Sequence, residues 1–265
     1  METTAEGTVL SEELKSALHE YYEQQEIAVG SNFRCPHSDE CERAVAPKLL
    51  MGRGSEAYVG SRYGDRFKIV VVGLDRGEGA VDVWGRSSEI ERLPTDGKGL
   101  NPQMKGTLAT LRAILREDEC ENIWTQFAMI NAAKCCYGNR RTVPDPLYCE
   151  CSVFGFGELS LLSPQIIVTQ GKNAKKPVEL RPSSIADDWA KYMVEQHPSR
   201  DRTQELVASM EWMIDRHIHE IVLGERKCLW LETPHPADRA GRWHPFANVF
   251  LPILGRILHD EVIAP

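Results

Sequence analysis

The chain has 265 residues, 42% of them hydrophobic, which is enough to bury a full core in one large domain. Its net charge of −8 argues against a broadly basic coat for nucleic acid but is compatible with a local basic groove. No apolar run approaches the ~18 residues of a membrane span and the N-terminus lacks signal-peptide features, so we expect a cytoplasmic protein with no membrane partner.

The first predicted element is a helix over 11–29, because Ser11 can cap it and a glycine follows its end. A loop containing Cys35 and Cys41 comes next, and together these two features occupy residues 1–66. Residues 68–72 form a short apolar, β-branched run, which is typical of a strand buried on both faces. Three glycines within seven positions follow it and predict a loop that a ligand can approach closely.

Strands and helices then alternate along the rest of the chain. The predicted elements are a helix at 102–118, strands at 123–130, 165–169 and 228–231, and helices at 154–162 and 247–260. Each strand leads into a loop marked by Gly, Asn or Pro, which predicts an α/β fold. We expect a three-layer α/β/α sandwich around a short, mainly parallel four-stranded sheet. The charged segment 175–226 is interpreted as a helical insertion within a single domain spanning 1–265.

The loops after the four predicted strands are expected to meet at one edge of the sheet, because parallel strands place their carboxyl ends together. These loops carry Asp75, Asn131, Gly171 and His235. In other settings each residue type has an ordinary structural role. An aspartate can form an Asx turn, an asparagine can bond loop backbone, and a histidine between prolines can pack in a turn.

The four loops carry sequence motifs in a specific order. These motifs are Gly-Leu-Asp-Arg-Gly at 73–77, Asn-Ala-Ala-Lys-Cys at 131–135, Val-Thr-Gln-Gly-Lys-Asn-Ala at 168–174 and His-Pro at 235–236. In this order the set resembles the uracil-DNA glycosylase superfamily, and it is closest to the iron–sulfur-containing branches. The resemblance implies a hydrolase, a monofunctional DNA N-glycosylase that extrudes a pyrimidine from DNA and leaves an abasic site.

The resemblance implies a role for each motif residue, and the chemistry of each side chain agrees with it. Asp75 would activate water and stabilise the oxocarbenium-like sugar, and His235 would donate a hydrogen bond to the departing base. Asn131 would bind the edge of the flipped base, although an amide can be turned to fit either uracil or cytosine. Gly73 and Leu74 would complete the substrate pocket.

The chain departs from the family pattern in the first motif. Arg76 stands where proline is usual, and Gly77 stands where the uracil-strict branch has a tyrosine that blocks substituents at C5 of the base. Arg76 and Glu78 add polar groups beside this opening. The expected substrate is therefore uracil or a 5-modified pyrimidine, including the bulky modified bases of phage DNA, so the expected pathway is DNA repair or antiphage defence.

Basic and aromatic residues near the motifs are candidates for contacting DNA phosphates and filling the gap left by an extruded nucleotide. The candidate DNA-binding residues are Lys134, Arg140, Lys172, Arg239, Arg242 and Trp243. The alternative is that these charges are scattered over the surface and only keep the chain soluble.

Six of the eight cysteines fall into two groups, which in a cytosolic chain indicates metal or cluster ligation instead of disulfides. The resemblance implies a 4Fe-4S cluster, with zinc as the rival because both accept four thiolates. The implied ligands are Cys35, Cys41, Cys135 and Cys151, with Cys136 and Cys149 as competitors for the second pair. Cys120 and Cys228 lie in apolar sequence and are interpreted as core residues.

Two other functions agree with the same sequence. The first is a non-catalytic DNA-binding module that retains the glycosylase fold. The second is an enzyme of small nucleotides, which is less favoured because the glycine-rich loop lacks a Gly-Lys-Ser/Thr ending. In each case we expect a monomer.

Overall fold

The computed structural model describes residues 5–27, 34–44, 56–74, 86–115, 122–135, 145–181, 183–185, 216–238 and 240–259. The helices are α1 (Ala5–Gln24), α2 (Ser38–Ala44), α3 (Arg86–Glu91), α4 (Pro102–Ile114), α5 (Asp145–Leu162), α6 (Trp243–Pro245) and α7 (Leu251–His259), with α6 and α7 joined by a π-helical turn, Phe246–Phe250. Short 3-10 helices cover Ile123–Thr125 and Lys172–Lys175. Within these ranges no helix has both the length and the apolarity needed to span a bilayer.

The strands are β1 (Tyr58–Val59), β2 (Ile69–Gly73), β3 (Phe127–Asn131), β4 (Ile166–Gln170), β5 (Ser183–Ile185), β6 (Ile218–Leu223) and β7 (Arg226–Thr233). They form one sheet in the order β1-β3-β2-β4-β7-β6-β5. The central strands β3, β2, β4 and β7 are parallel, whereas β1, β6 and β5 pair antiparallel with their neighbours.

The α/β class is confirmed, but the predicted four-stranded sheet is wrong, because the sheet is mixed and has seven strands within the described ranges. Two of the extra strands, β5 and β6, lie in the segment that was interpreted as a helical insertion. In β6, Ile218, Ile221 and Leu223 are buried while the residues between them are partly or fully exposed. Residues 186–215 of the predicted insertion lie outside the described ranges.

The two faces of β2 pack into different hydrophobic clusters, because successive side chains of a strand point in opposite directions. Ile69 and Val71 join a cluster with residues of α4 and α7, including Leu111. Val70 and Val72 join a second cluster with residues of α1 and α5. All four β2 side chains are fully buried, so helices cover both faces of the central strands.

The start of helix α4 lies near the edge where the parallel strands end. The helix begins with proline in the first turn, and the Asn101 side chain caps it by accepting a hydrogen bond from Met104 N–H at 2.9 Å. Thr107 on this helix exchanges hydrogen bonds with the Gln170 side chain at the end of β4. The start of α4 is therefore fixed against the carboxyl edge of the sheet.

Candidate functional site

The ends of β2 and β3 lie side by side and carry the amide that was predicted to bind the base. Gly73 pairs with Asn131 in the register of the two strands. Beyond the strands, Ala132 N–H donates to the Gly73 carbonyl and Ala133 N–H donates to the Leu74 carbonyl, each at 2.9 Å. Asn131 is 1% exposed, and its Oδ1 would lie 3.1 Å from a Cβ added at Gly73. The end of β2 and the predicted base-binding residue therefore lie next to each other.

The chain directly before the predicted catalytic carboxylate is held by the main-chain hydrogen bond at Leu74. Asp75, Arg76, Gly77 and Glu78 follow Leu74 and lie outside the described residues, so their roles stay predictions. The structure places Leu74, the residue before Asp75, beside the end of β3.

The ends of β4 and β7 also meet, and they bring the predicted histidine to the same edge. Gly171 N–H donates to the Thr233 carbonyl at 2.9 Å, directly after the two strands pair. Gly171 has φ of +99°, and a Cβ added there would lie 3.1 Å from the His235 Cβ. Glycine is thus required both by the backbone conformation and by the close approach of the histidine.

The local contacts of His235 define which ring nitrogen carries the proton. The backbone N–H of Ala237 donates to His235 Nδ1 at 3.1 Å, so Nδ1 accepts and the neutral ring carries its hydrogen on Nε2. Partial burial lowers the pKa of His235, an effect opposed by the nearby Asp238 carboxylate. At neutral pH the ring is therefore uncharged and offers Nε2–H as a hydrogen-bond donor.

The ion pair between Arg242 and Asp238 stabilises the loop that carries His235. Asp238 N–H donates to the His235 carbonyl at 2.8 Å. The Arg242 guanidinium contacts both carboxylate oxygens of Asp238, at 2.6 and 3.2 Å. Hydrogen bonding from Arg242 lowers the pKa of Asp238 to about 2, so the pair stays charged at neutral pH. Arg239, predicted in the same loop, lies outside the described residues.

Helix α4 contributes contacts to this edge that the sequence did not predict. A Cβ added at Gly106 would overlap Pro236 Cγ and would lie 3.2 Å from Trp243 Cζ2. The Trp243 ring is partly buried and packs 5.6 Å from the Phe246 ring, centroid to centroid. Part of the ring predicted to enter the DNA base stack is therefore already packed against the protein.

Lys134 was predicted to contact DNA, and the structure contradicts this. Its side chain is fully buried, and its ammonium group forms an ion pair and hydrogen bond with Glu158 of α5. The Tyr22 hydroxyl of α1 donates a hydrogen bond to the same carboxylate. Lys134 cannot reach a phosphate without leaving Glu158 as a buried, unpaired charge, which is costly. Its role in this structure is internal.

The other basic candidates are divided between exposed and undescribed positions. The Lys172 side chain is 81% exposed and lies 3.8 Å from the Asp145 carboxylate. The Arg242 side chain is 70% exposed although it is paired with Asp238. Both can contact a phosphate, and Arg140 lies outside the described residues.

The four predicted cysteine ligands come from separate elements and lie near one another. Cys35 precedes α2, Cys41 lies in α2, Cys135 follows β3 and Cys151 lies in α5. Burial, together with the nearby Cys151 and Cys35, raises the pKa of Cys41 to about 12. Burial also raises the pKa of Cys35, and Cys151 adds to this rise. These mutual effects require the thiols to be neighbours in space.

Of the four thiols, those of Cys135 and Cys151 interact with each other directly. Cys135 Sγ donates a hydrogen bond to the Cys151 sulfur, which raises the pKa of Cys135 and lowers the pKa of Cys151 to about 7. The nearby Cys41 and Cys35 raise the pKa of Cys135 further. Lys134 N–H also donates to Cys151 Sγ at 3.4 Å. A thiolate stabilised by backbone N–H is what a metal or cluster ligand needs, so the donor set fits.

The competing cysteines differ from these four. Cys149 is exposed, whereas Cys151 two residues later is buried among the other thiols. Cys228 is buried in β7, and its thiol donates to the Pro164 carbonyl at 3.0 Å, as expected of a core residue. Cys120 and Cys136 lie outside the described residues. The structure thus favours Cys151 over Cys149 as the ligand from α5.

The spacing of the thiols bears on the choice between one zinc ion and a cluster. Zn–S bonds of about 2.3 Å in a tetrahedral site place the sulfurs roughly 3.8 Å apart. Among the described residues, one group of three potential ligand atoms lies within 4.8 Å, and it consists of His37, Glu40 and Glu150. No three of the described thiols are therefore that close to one another.

The His37, Glu40 and Glu150 group lies beside the cysteines and was not predicted. His37 Nδ1 lies 3.0 Å from Glu40 Oε2, and its ring packs 5.6 Å from the Phe154 ring. Both carboxylates are exposed. The glutamates add negative charge near Cys41, whose pKa they raise slightly.

Comparison with known proteins does not assign the chain to a family. No model of a known protein family matches the sequence. No curated protein matches it either. What the chain does is therefore inferred from its residues and their geometry.

Proposed function

We propose that this chain is a DNA glycosylase that flips a pyrimidine out of DNA and hydrolyses its N-glycosidic bond to leave an abasic site. The observation that carries the proposal is the meeting of four strand ends at one edge. Gly73 contacts Asn131 there, and Gly171 contacts His235. Loops that bind a base, orient a water molecule and stabilise a leaving group need this kind of shared edge.

Asp75 is the group that we assign to the sugar and the water. Cleavage of an N-glycosidic bond develops positive charge on the sugar, and an anion beneath the ring stabilises it. The same carboxylate can accept a proton from the attacking water. The proposal is supported by the position of Leu74, which directly follows β2, precedes Asp75 and accepts a hydrogen bond from Ala133 N–H.

His235 is the group that we assign to the departing base. The base leaves with negative charge on a carbonyl oxygen, and a neutral imidazole with a hydrogen on Nε2 can donate to that oxygen. The Ala237 contact to Nδ1 and the lowered pKa of His235 support this role. A charged imidazole is not required, because a preorganised neutral donor already stabilises developing charge in a water-poor site.

The four thiols Cys35, Cys41, Cys135 and Cys151 would hold a 4Fe-4S cluster, with zinc as the rival. The group would supply a covalent tie between α2, α5 and the segment after β3. Because Asn131 lies four residues before Cys135, this tie would hold the base-binding segment in place. We assign the group a structural role and no part in bond cleavage.

We further propose that the pocket accepts uracil or a 5-modified pyrimidine. Gly77 removes a side chain that would block the C5 substituent, and Arg76 and Glu78 supply polar groups near it. Duplexes carrying uracil, 5-hydroxymethyluracil, 5-hydroxymethylcytosine or a glucosylated 5-hydroxymethylcytosine can be incubated with the protein and treated with alkali to reveal abasic sites. Cleavage of uracil alone would remove the proposed tolerance for 5-substituents.

The Asp75→Asn variant tests the catalytic proposal. We expect the single-turnover rate of base release to fall roughly 10²- to 10⁴-fold, because the amide can neither accept the water proton nor stabilise the sugar charge. DNA binding should change little. Asp96→Asn is the matched control, since Asp96 lies in an exposed turn and pairs only with Lys98 among the described residues. If the wild-type protein binds DNA but releases no base, the non-catalytic binding module is the correct function.

The Gly106→Ala variant tests whether α4 positions the His235 loop. An added Cβ would overlap Pro236, and neither the helix backbone nor the proline ring can yield easily. We expect base release to slow about tenfold or more, because small misplacements of a catalytic group are costly. The free energy of unfolding should fall by about 1–3 kcal/mol. Ser160→Ala, at an exposed position of α5, is the control, and an unchanged rate in Gly106→Ala would contradict the positioning role.

A further inference from the structure

A second side-chain amide lies beside Asn131 at the edge of the sheet. A Cβ added at Gly73 would overlap Gln103 Nε2 on one side and would lie 3.1 Å from Asn131 Oδ1 on another. The two amides therefore both approach the Cα of Gly73, one from α4 and one from β3. Gln103 is only partly buried, so it can be reached from outside.

The backbone of Gln103 is fixed, whereas its side-chain amide has no hydrogen-bond partner among the described residues. The Gln103 carbonyl accepts a hydrogen bond from Thr107 Oγ1 at 3.1 Å, and the Asn101 cap holds the first turn of the helix. The side-chain amide makes no hydrogen bond with any residue that the structure describes. An amide that lies beside a proposed base-binding residue on a fixed backbone, with no hydrogen bond to the described residues, is suited to bind a polar ligand.

The base edge offers one more polar interaction than Asn131 can make. A carboxamide such as that of Asn131 binds two adjacent groups of a pyrimidine, at N3 and at position 4. The oxygen of a 4-carbonyl has a second lone pair, and a 4-amino group has a second hydrogen. Both point toward the C5 side of the ring, away from N3.

We infer that Gln103 is a second base-binding residue, which contacts the group at position 4 of the extruded pyrimidine and so helps to determine specificity. This inference rests on the proposed function, because it needs a flipped base beside Asn131. Gln103 Nε2 donates to a 4-carbonyl, and Gln103 Oε1 accepts from a 4-amino group. Gly73 is required next to it because any side chain there would displace the Gln103 amide.

Substitution of Gln103 by alanine and by glutamate separates a base contact from a structural role. Binding is measured to duplexes in which one uncleavable 2′-fluoroarabino nucleotide carries uracil or 5-hydroxymethylcytosine. Base release is measured in parallel on the cleavable duplexes. Gln103→Ala should weaken binding of the preferred base about tenfold, the size of one lost hydrogen bond. Gln103→Glu can only accept, so it should lower the ratio of uracil to 5-hydroxymethylcytosine affinity at least tenfold.

The same two substitutions at Gln24 are the matched control, because Gln24 is exposed at the end of α1. A shift in base preference for Gln103→Glu and none for Gln24→Glu supports the inference, even if the wild-type protein cleaves nothing. If the wild type releases a base and both Gln103 variants affect all duplexes equally or not at all, Gln103 is not a base-binding residue and the proposed function stands. If the wild type neither releases nor prefers any base, both proposals are overturned.

Discussion

Replacing Lys134 with methionine is expected to lower the free energy of unfolding by about 3–5 kcal/mol, because it leaves a buried carboxylate without its counter-ion. Lys134 and Glu158 are both fully buried and form an ion pair, to which Tyr22 adds a hydrogen bond. Methionine preserves most of the side-chain volume, so lost packing contributes little. Urea unfolding followed by circular dichroism measures the change.

Two further variants make this prediction specific. Lys227→Met removes an exposed pair with Glu220, whose atoms lie 2.8 Å apart, and should cost at most about 1 kcal/mol. The double variant Lys134→Met, Glu158→Gln removes both charges and keeps an acceptor for Tyr22, so it should be clearly more stable than Lys134→Met alone. If Lys134→Met unfolds at the wild-type urea concentration, the buried pair contributes nothing to stability.

The buried pair also connects regions that the proposed function needs together. Lys134 lies between Asn131 and Cys135 in sequence, and its partner Glu158 lies seven residues after Cys151 on α5. Tyr22, which donates to Glu158, also accepts from Ala57 N–H at 2.9 Å. The segment after β3 is thus held to α5 by the Lys134 side chain, independently of any group bound by the thiols.

The central strands could be predicted because they are short apolar runs that end in polar or glycine residues. The run at 68–72 became β2, and the runs before Asn131, Gly171 and Thr233 became the other parallel strands. Strand ends at one edge then follow from parallel pairing alone. This is why the contacts of Asn131 with Gly73 and of His235 with Gly171 could be anticipated from the sequence.

The edge strands could not be predicted in the same way. In β6, the polar residues His219 and Glu220 lie side by side between buried positions, so the run lacks both a continuous apolar stretch and strict alternation. Charged residues around it favoured a helical interpretation. What defines β6 is its antiparallel pairing with β7, which the sequence does not show locally.

The burial of Lys134 and the contact of Gln103 could not be predicted for a different reason, which is that both depend on tertiary partners. Lys134 was predicted to contact DNA because it lies near the motifs, whereas its burial depends on Glu158, 24 residues later. Gln103 follows Asn-Pro at a helix start, a pattern that predicted the helix but not its contact with Gly73. The sole sequence signal for Gln103 is that a polar residue occupies the first turn of a helix expected beside the sheet.

Replacing Cys151 with serine is expected to abolish binding of the proposed iron–sulfur cluster, because it removes the one proposed ligand whose sulfur interacts with both Cys135 and the Lys134 backbone N–H. When both proteins are isolated without oxygen, the variant should lack the visible absorbance, bound iron and acid-labile sulfide that we expect in the wild type. A structural tie between α2, α5 and the segment after β3 would be lost with it, so the urea midpoint should fall as well. Iron and sulfide analysis distinguishes a cluster from zinc, since a zinc protein is colourless and contains no inorganic sulfide.

Cys149→Ser and Cys228→Ser are the matched controls for this prediction. Cys149 is exposed, and the Cys228 thiol is bound to the Pro164 carbonyl, so neither change should alter iron content. Loss of iron in Cys149→Ser with retention in Cys151→Ser would reverse the ligand assignment, whereas zinc without iron in every variant would exclude the cluster. Because Cys135 and the Lys134 backbone N–H join Cys151 to the segment that begins at Asn131, a cluster-free Cys151→Ser protein should also bind an extruded base more weakly under the proposed function.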